Sequence, residues 1–285
     1  MNYTFFPGCS LESTARDFYE STIAVAEALG IRLEELPGWT CCGSTPAHSV
    51  GAVLSVALPA RNLAAAAELG RDMVVACAAC YNRLQSANLA MREAGELRER
   101  VEEAIWTRYR GEVRVRHLLE VLVTDVGIAE IKSQAVRDLD GLRVACYYGC
   151  LLARPGELSI FPDPEAPRLM EDLLIALGAE PVEWPHALEC CGGSFGITNR
   201  PAAERLCRDI LQMAKMAGAD CLAAACPLCQ SNLDMRQKDI EARYRTDLGL
   251  PVLYFTQLLG LALGLPERSL GLSRLFVGLP SCLRV

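Results

Sequence analysis

The chain lacks an excess of positive charge, a long apolar run and the common nucleotide-binding motifs. Its 28 Lys and Arg residues are outnumbered by 35 Asp and Glu residues, which argues against nucleic acid or an anionic membrane as a direct partner. The most apolar stretch, residues 251–265, contains Thr256 and Gln257 and is too short to span a membrane. Neither a GxGxxG nor a Walker sequence occurs, so we expect no flavin or bound nucleotide.

The first ten residues, MNYTFFPGCS, contain neither a basic segment nor a long apolar one. We therefore expect no secretory signal and a cytoplasmic protein. Cysteine, by contrast, is abundant, with 14 residues. In a reducing compartment, many regularly spaced cysteines indicate metal binding rather than structural disulfides.

Ten of the 14 cysteines follow one spacing rule that occurs twice. In each copy, a lone cysteine precedes a vicinal pair followed by glycine, and a CxxC motif begins 35 positions after that pair. The first copy, the first cysteine set, consists of Cys9, Cys41, Cys42, Cys77 and Cys80. The second cysteine set consists of Cys150, Cys190, Cys191, Cys226 and Cys229. Because the pattern is duplicated, each copy supports the interpretation of the other.

The two cysteine sets lie in matching strand and helix contexts. In chain order, each half is predicted to contain a strand, a helix, an extended segment, a helix, a strand and a helix that starts at the CxxC motif. In the first half, the first five elements are predicted at 2–6, 13–29, 32–36, 50–69 and 73–76. In the second half, they are predicted at 142–148, 167–177, 180–184, 201–217 and 222–225. Residues 117–119 also resemble residues 257–259 near the end of each half.

Alternating strands and helices predict an α/β fold with parallel sheets. We expect two similar Rossmann-like domains, residues 1–140 and 141–285, related by a pseudo-twofold axis, with a linker near 129–141. All cysteines of a set are then expected at the carboxyl ends of neighbouring strands, where open α/β sheets bind ligands.

Each set offers five thiols, whereas a tetrahedral zinc ion or a cubane 4Fe–4S cluster takes four ligands. Adjacent side chains on a strand point to opposite faces, so a vicinal pair reaches one site only from a tight turn, which Gly43 and Gly192 permit. Two neighbouring thiolates on one zinc ion would close a strained ring, whereas a cluster presents several iron atoms. We therefore favour the interpretation that all five cysteines of a set bind one cluster, and that this cluster is not an ordinary cubane. The alternative is four ligands and one neighbouring cysteine.

The patterns C-x31-CCG-x34-CxxC and C-x39-CCG-x34-CxxC resemble the CCG-domain family, in particular the B subunits of heterodisulfide reductases. The local sequences FFPGCS, WTCCGS, ACAACYNRL, CYYGCLLARP, ECCGGS and ACPLCQSNLD support the resemblance. It implies that each set binds a noncubane 4Fe–4S cluster through its five cysteines, and that the two clusters face each other. It also implies an oxidoreductase acting on a sulfur group, which cleaves a small disulfide, or oxidises thiols, between the clusters.

A closely spaced, ferredoxin-like cysteine run is missing, so electrons are expected from another polypeptide. The resemblance implies two partners in a complex, a ferredoxin-like iron–sulfur protein (the C subunit) and a flavin-bearing protein (the A subunit). An alternative function is electron transfer without disulfide chemistry, as in CCG proteins of lactate-, glycolate- or succinate-oxidising complexes. A third is a zinc protein, with zinc in one or both sites.

All three histidines lie near elements of the repeat, and His186, four positions before Cys190, is expected to be a loop residue. His48, six positions after Cys42, is a candidate proton donor for a released thiolate, because histidine titrates near neutral pH. A helix-start or surface role is an equal alternative. His117 is expected to be a strand residue without a role in the site. The four remaining cysteines have no counterpart in the repeat and are expected to be structural; they are Cys146, Cys207, Cys221 and Cys282.

Overall fold

The structure, a computed structural model, describes residues 1–283 and contains two four-stranded sheets there. The strands of the first sheet are β1 (Asn2–Phe6), β2 (Arg32–Glu35), β3 (Met73–Val75) and β4 (Val115–His117). Those of the second sheet are β5 (Arg143–Tyr147), β6 (Glu180–Pro181), β7 (Cys221–Ala224) and β8 (Val252–Tyr254). All neighbouring strands are parallel, and both sheets have the same order, β2-β1-β3-β4 and β6-β5-β7-β8. The predicted α/β fold with two similar parallel sheets is confirmed.

Helices connect the strands of both sheets. In the first half they are α1 (Gly8–Leu11), α2 (Arg16–Ala28), α3 (Ser44–Val50), α4 (Ala52–Ala67), α5 (Ala78–Arg92), α6 (Glu96–Ile105), α7 (Leu118–Val121) and α8 (Ile128–Gln134). A π-helical segment, Leu122–Gly127, joins α7 to α8. In the second half they are α9 (Leu169–Ala176), α10 (Arg200–Met216), α11 (Pro227–Met235), α12 (Gln237–Tyr244) and α13 (Phe255–Ala262). Short 3₁₀ turns lie at Gly156–Leu158, Gly193–Phe195, Glu267–Leu270, Leu272–Arg274 and Ser281–Leu283.

The helix predicted over residues 50–69 corresponds to α4, which agrees to within two residues at each end. The preceding helix α3 was not predicted, and extended backbone at Gly51 separates it from α4. In the second half, α10 agrees with the predicted 201–217 to within one residue at each end. No helix within residues 1–283 is both long enough and apolar enough to cross a membrane.

The two halves exchange helices across their boundary. Helix α13 of the second half packs on α2 of the first, while α7 and α8 of the first half pack on α9 of the second. At the first of these contacts the rings of Phe18 and Tyr254 stack with centroids 4.0 Å apart. Reciprocal contacts between equivalent elements are what a twofold axis produces. They also join the apolar residues of both halves in one contiguous core.

The last strand of each sheet ends at an equivalent residue. In the first sheet Val75 pairs with His117, and in the second Ala224 pairs with Tyr254. Val75 and Ala224 each lie two positions before a CxxC motif, so His117 corresponds to Tyr254. The expected match of residues 117–119 with 257–259 is therefore wrong by three positions.

Candidate functional site

Both cysteine sets lie at the carboxyl edges of the sheets. Cys9 follows β1 within α1, and Cys77 follows β3 as the residue before α5. In the second half, Cys150 follows β5 and Cys226 precedes α11. Because β1 and β3 are neighbours, as are β5 and β7, this edge brings the lone cysteine of each set close to its CxxC motif.

The vicinal pairs lie in turns that end at a glycine with left-handed backbone. Gly43 has φ of 82° and Gly192 has φ of 72°, a conformation that glycine adopts without strain. Buried asparagines also hold these turns. Asn62 on α4 accepts a hydrogen bond from the Thr40 amide at 2.8 Å and donates to the Thr40 carbonyl at 2.9 Å. The turn before each helix is therefore fixed by both backbone conformation and side-chain contacts.

In the second half, Asn232 on α11 donates to the Cys191 carbonyl at 2.6 Å. The Cys207 thiol also donates to this carbonyl, at 3.3 Å. The spacing rule did not identify either asparagine, because both reach the turn from helices distant in the sequence. The local signal at Asn62 was a polar residue on the largely apolar α4, whereas Asn232 lies among other polar residues of α11 and gave no such signal.

The thiols of the first set contact one another from the surface to the centre of the molecule. The Sγ atoms of Cys9 and Cys41 are 3.8 Å apart, and those of Cys42 and Cys80 are 3.3 Å apart. Cys9 and Cys41 are exposed, whereas Cys42, Cys77 and Cys80 are buried. The set therefore connects solvent to the boundary between the halves.

The second set repeats this arrangement. The Sγ atoms of Cys191 and Cys229 are 3.4 Å apart, close to the value for the equivalent pair in the first set. Cys190 is exposed, Cys150 is half-buried, and the other three are buried. At the boundary, the thiols of Cys77 and Cys226 hydrogen-bond to each other. The innermost, equivalent cysteines of the two sets therefore meet.

Hydrogen bonds between thiols shift their pKa values in opposite directions. Hydrogen bonds from Cys41 and then Cys80 lower the pKa of Cys42 to about 3. A hydrogen bond from Cys150 lowers the pKa of Cys190 to about 6. Hydrogen bonds from Cys229 and Cys77 hold the pKa of Cys226 well below its ordinary value. The same hydrogen bonds raise the pKa of the partner thiols, so in both sets they favour the thiolate, the form in which cysteine binds metal, at one partner and the thiol at the other.

The donor set suits a soft metal, because every member is a thiol. Within residues 1–283, no three His, Cys, Asp or Glu groups converge on a single point as ligands of one ion do. Thiolates are ligands that both zinc and iron–sulfur clusters take.

A small cavity of about 50 Å³ lies between the halves. From the first half, Ser44, Ala78 and Ala79 line it. From the second half, all five cysteines of the second set contribute. A molecule in this cavity would contact the second set directly and, through Ala78 and Ala79, the CxxC turn of the first.

The structure places His48 on the last turn of α3, exposed to solvent. Partial burial and the positive charge of Arg83 lower the pKa of His48 below its ordinary value of 6.5. The neutral ring therefore dominates at pH 7, and the proton-donor role stays a prediction. Cys146, Cys207 and Cys221 are buried, whereas Cys282 is exposed.

The chain is similar to a known protein family and to individual proteins. A family model described as a cysteine-rich domain, CCG, matches residues 3–85 and 144–234, which include all ten cysteines of the two sets. The 8-methylmenaquinol:fumarate reductase membrane anchor subunit of Wolinella succinogenes is 34% identical over 274 residues, which cover 95% of each chain. The B subunit of the ferredoxin/F420H2-dependent CoB–CoM heterodisulfide reductase of Methanosarcina acetivorans is 32% identical over 277 residues, covering 95% of this chain and 92% of that protein.

A solved structure has the same fold. The crystal structure of a hypothetical protein from Helicobacter pylori superposes with a TM-score of 0.78 at 14% identity, over 98% of this chain and 52% of the other. This chain thus spans about half the length of that protein. The family model matches both halves of the chain, and the two relatives are similar to it over nearly their full length. The chain therefore belongs to the CCG cysteine-rich domain family that includes the B subunits of heterodisulfide reductases.

Proposed function

We propose that the two sets hold two 4Fe–4S clusters, both noncubane, and that the chain is the catalytic component of a heterodisulfide-reductase-like complex. All ten cysteines are the proposed ligands. The observation that carries this proposal is the meeting of the two sets at Cys77 and Cys226, beside a cavity that both halves line. A small sulfur compound bound there would contact the second set directly and would reach the first set through Ala78 and Ala79, which lie inside its CxxC motif. The relative named as the B subunit of a heterodisulfide reductase supports the assignment.

The proposed reaction converts one disulfide, two electrons and two protons into two thiols, and the reverse reaction oxidises two thiols. The clusters would supply the electrons, one each. The chain itself surrounds the inner thiols with apolar core, since Cys42, Cys77, Cys80, Cys191, Cys226 and Cys229 are buried. The exposed cysteines of each set mark the sides open to solvent, where protons enter and where an electron-donating partner docks. We propose a ferredoxin-like C subunit and a flavin-bearing A subunit as these partners, in the cytoplasm.

Metal analysis of the anaerobically purified chain tests the cofactor. About eight irons and a similar amount of sulfide per chain are expected, from four-iron clusters in both sets. Cys42→Ser is expected to lose about half of the iron, because it removes a ligand from the first set only. Cys207→Ser is the matched control, since its buried thiol lies beside the second set outside the repeated pattern. Zinc in place of iron, or fewer than about four irons per chain, would contradict the proposal.

A second function is favoured by one observation, the 34% identity to a protein named as part of a fumarate reductase. In that case the chain transfers electrons without disulfide chemistry. The two functions differ in their response to thiols. Disulfide chemistry predicts a new EPR signal when a thiol is added to the oxidised protein, and turnover of a disulfide with reduced viologen. Full iron content with no response across a broad panel of thiols and disulfides would favour electron transfer alone.

A further inference from the structure

His117 lies, fully buried, between the two CxxC segments. Its Nε2 is 2.9 Å from the carbonyl oxygen of Ala76, the residue before Cys77. The carbonyl of Ala225, the residue before Cys226, is also within hydrogen-bonding range of the ring. One imidazole of the first half therefore contacts the strand end that leads into each CxxC motif.

The surroundings of His117 select one tautomer. Its Nδ1 accepts a hydrogen bond from the Leu119 amide at 3.2 Å, so Nδ1 carries no proton. In a neutral ring the proton is then on Nε2, which donates to carbonyl oxygen. The ring also packs edge-on against Tyr81, with centroids 6.1 Å apart, and against Phe255 of the second half at 6.4 Å. Burial lowers the pKa of His117 to about 4, which keeps the ring neutral.

The equivalent position in the second half has different chemistry. There Tyr254 directs its hydroxyl to Gln230 at 3.1 Å and stacks on Phe18. The contact of one ring with both strand ends is thus a feature of the first half alone. It lies where the Cys77 and Cys226 thiols meet.

We propose that His117 is a positioning residue whose Nε2–H, placed between the carbonyls of Ala76 and Ala225, sets the spacing of the two CxxC motifs across the boundary. The inference rests on the proposed function, because a disulfide that bridges two sites needs them at a fixed separation. His117 acts through the backbone before Cys77 and Cys226 and contacts no substrate.

Thiol cross-linking in the full-length, metal-free chain measures this spacing. Brief oxidation with diamide, followed by peptide mass spectrometry, gives the yield of the Cys77–Cys226 link across the boundary. The Cys42–Cys80 link, within the first half, is the internal reference, since those Sγ atoms are 3.3 Å apart. His117→Phe keeps an aromatic ring without the N–H. The ratio of the two links is expected to fall about fivefold, as loss of one hydrogen bond predicts.

Two further variants distinguish a change in the spacing of the CxxC motifs from a general loss of structure. His117→Gln retains an N–H donor and is expected to restore the ratio. Tyr254→Phe removes a hydroxyl at the equivalent position and is expected to leave the ratio at the wild-type value. A wild-type ratio in a folded His117→Phe protein overturns the proposal, as does a fall of the same size in Tyr254→Phe.

The tautomer of His117 can be tested in the wild-type protein, without any substitution. The chain has only three histidines, so ¹⁵N-labelled rings can be assigned by NMR in the metal-free protein. We expect one ring with a proton on Nε2 only, unchanged from about pH 6 to about pH 8. A proton on Nδ1, or titration of this ring within that range, refutes the inference even if His117→Phe fails to fold. Neither measurement involves iron or substrate, so failure of the proposed function would appear separately, in the metal analysis.

Discussion

Arg116 is the buried cation whose removal gives the clearest prediction about stability. Its side chain is 4% exposed. It donates to Glu120 at 2.9 Å, to Thr124 at 2.7 Å and to Asp125 on the π-helical segment. Asp125 also accepts a hydrogen bond from Tyr3 at 2.6 Å, which ties the segment to β1.

Arg116→Met keeps most of the side-chain volume, but it leaves Asp125 without its cation and leaves Glu120 with only the exposed Arg114, 3.9 Å away. Removing one partner of a buried ion pair typically costs about 3–5 kcal/mol. Because Asp125 and Glu120 are 27% and 19% exposed, water replaces part of the interaction. We expect a loss near the lower limit, about 3 kcal/mol at pH 7. Arg114→Met is the matched control, since Arg114 is 64% exposed and makes only long contacts, 3.7 Å to Asp72 and 3.9 Å to Glu120. The control is expected to lose at most about 0.5 kcal/mol.

Urea unfolding followed by circular dichroism measures the unfolding free energy of both variants. The pH dependence of the loss then tests its electrostatic cause. The hydrogen bond from Arg116 holds the pKa of Asp125 below its ordinary value of 3.8. The stabilisation is therefore complete above that value and is lost as pH falls through the lower pKa of the folded state. The gap between wild type and Arg116→Met should be full at pH 7 and should narrow below about pH 4. Equal losses in the two variants, or a gap that widens in acid, would refute this reasoning.

Two other perturbations have defined outcomes. Burial raises the pKa of Asp234 to about 6 from 3.8. Relative to Asp234→Asn, the wild type should therefore lose about 2–3 kcal/mol of unfolding free energy as pH rises from about 4 to about 7; a pH-independent difference in urea unfolding would count against it. Gly8→Ala puts a methyl group 2.9 Å from the Cys80 Sγ at φ of 70°, and iron content should fall. Gly38→Ala is the control for backbone strain, because Gly38 has a similar φ of 63° and no neighbour within 4 Å, and it should retain iron. Loss of iron in both variants would mean that backbone strain, rather than the contact with Cys80, lowers the iron content.

The order of strands and helices was predictable because its signals are local. Apolar runs before Cys9 and Cys150 and the glycines after α2 and α9 mark element ends within a few residues. Helix α3 was missed, because its sequence, STPAHSV, is short and has no apolar periodicity. The spacing rule predicted that each set would gather at one sheet edge, since neighbouring parallel strands end together.

The contacts across the boundary could not be predicted in the same way. His117 meets Ala76 and Ala225 only after both sheets have formed and packed, so its sequence neighbours give no indication of a role. Asn232 reaches Cys191 across 41 positions of sequence. Spacing within a motif identifies candidate ligands, whereas the residues that hold those cysteines in place depend on the tertiary fold.

In each half, the helices after the last strand pack on the other half, and this has a consequence for the origin of the chain. A polypeptide with only one module would have α2 uncovered where α13 now packs, and its own α7 and α8 without a surface to cover. Such an ancestor is expected to have paired with an identical copy, each lending its terminal helices to the other. Fusion of two such copies would join the exchanged helices in one chain, and the equivalent positions 117 and 254 could then differ, as histidine and tyrosine do here.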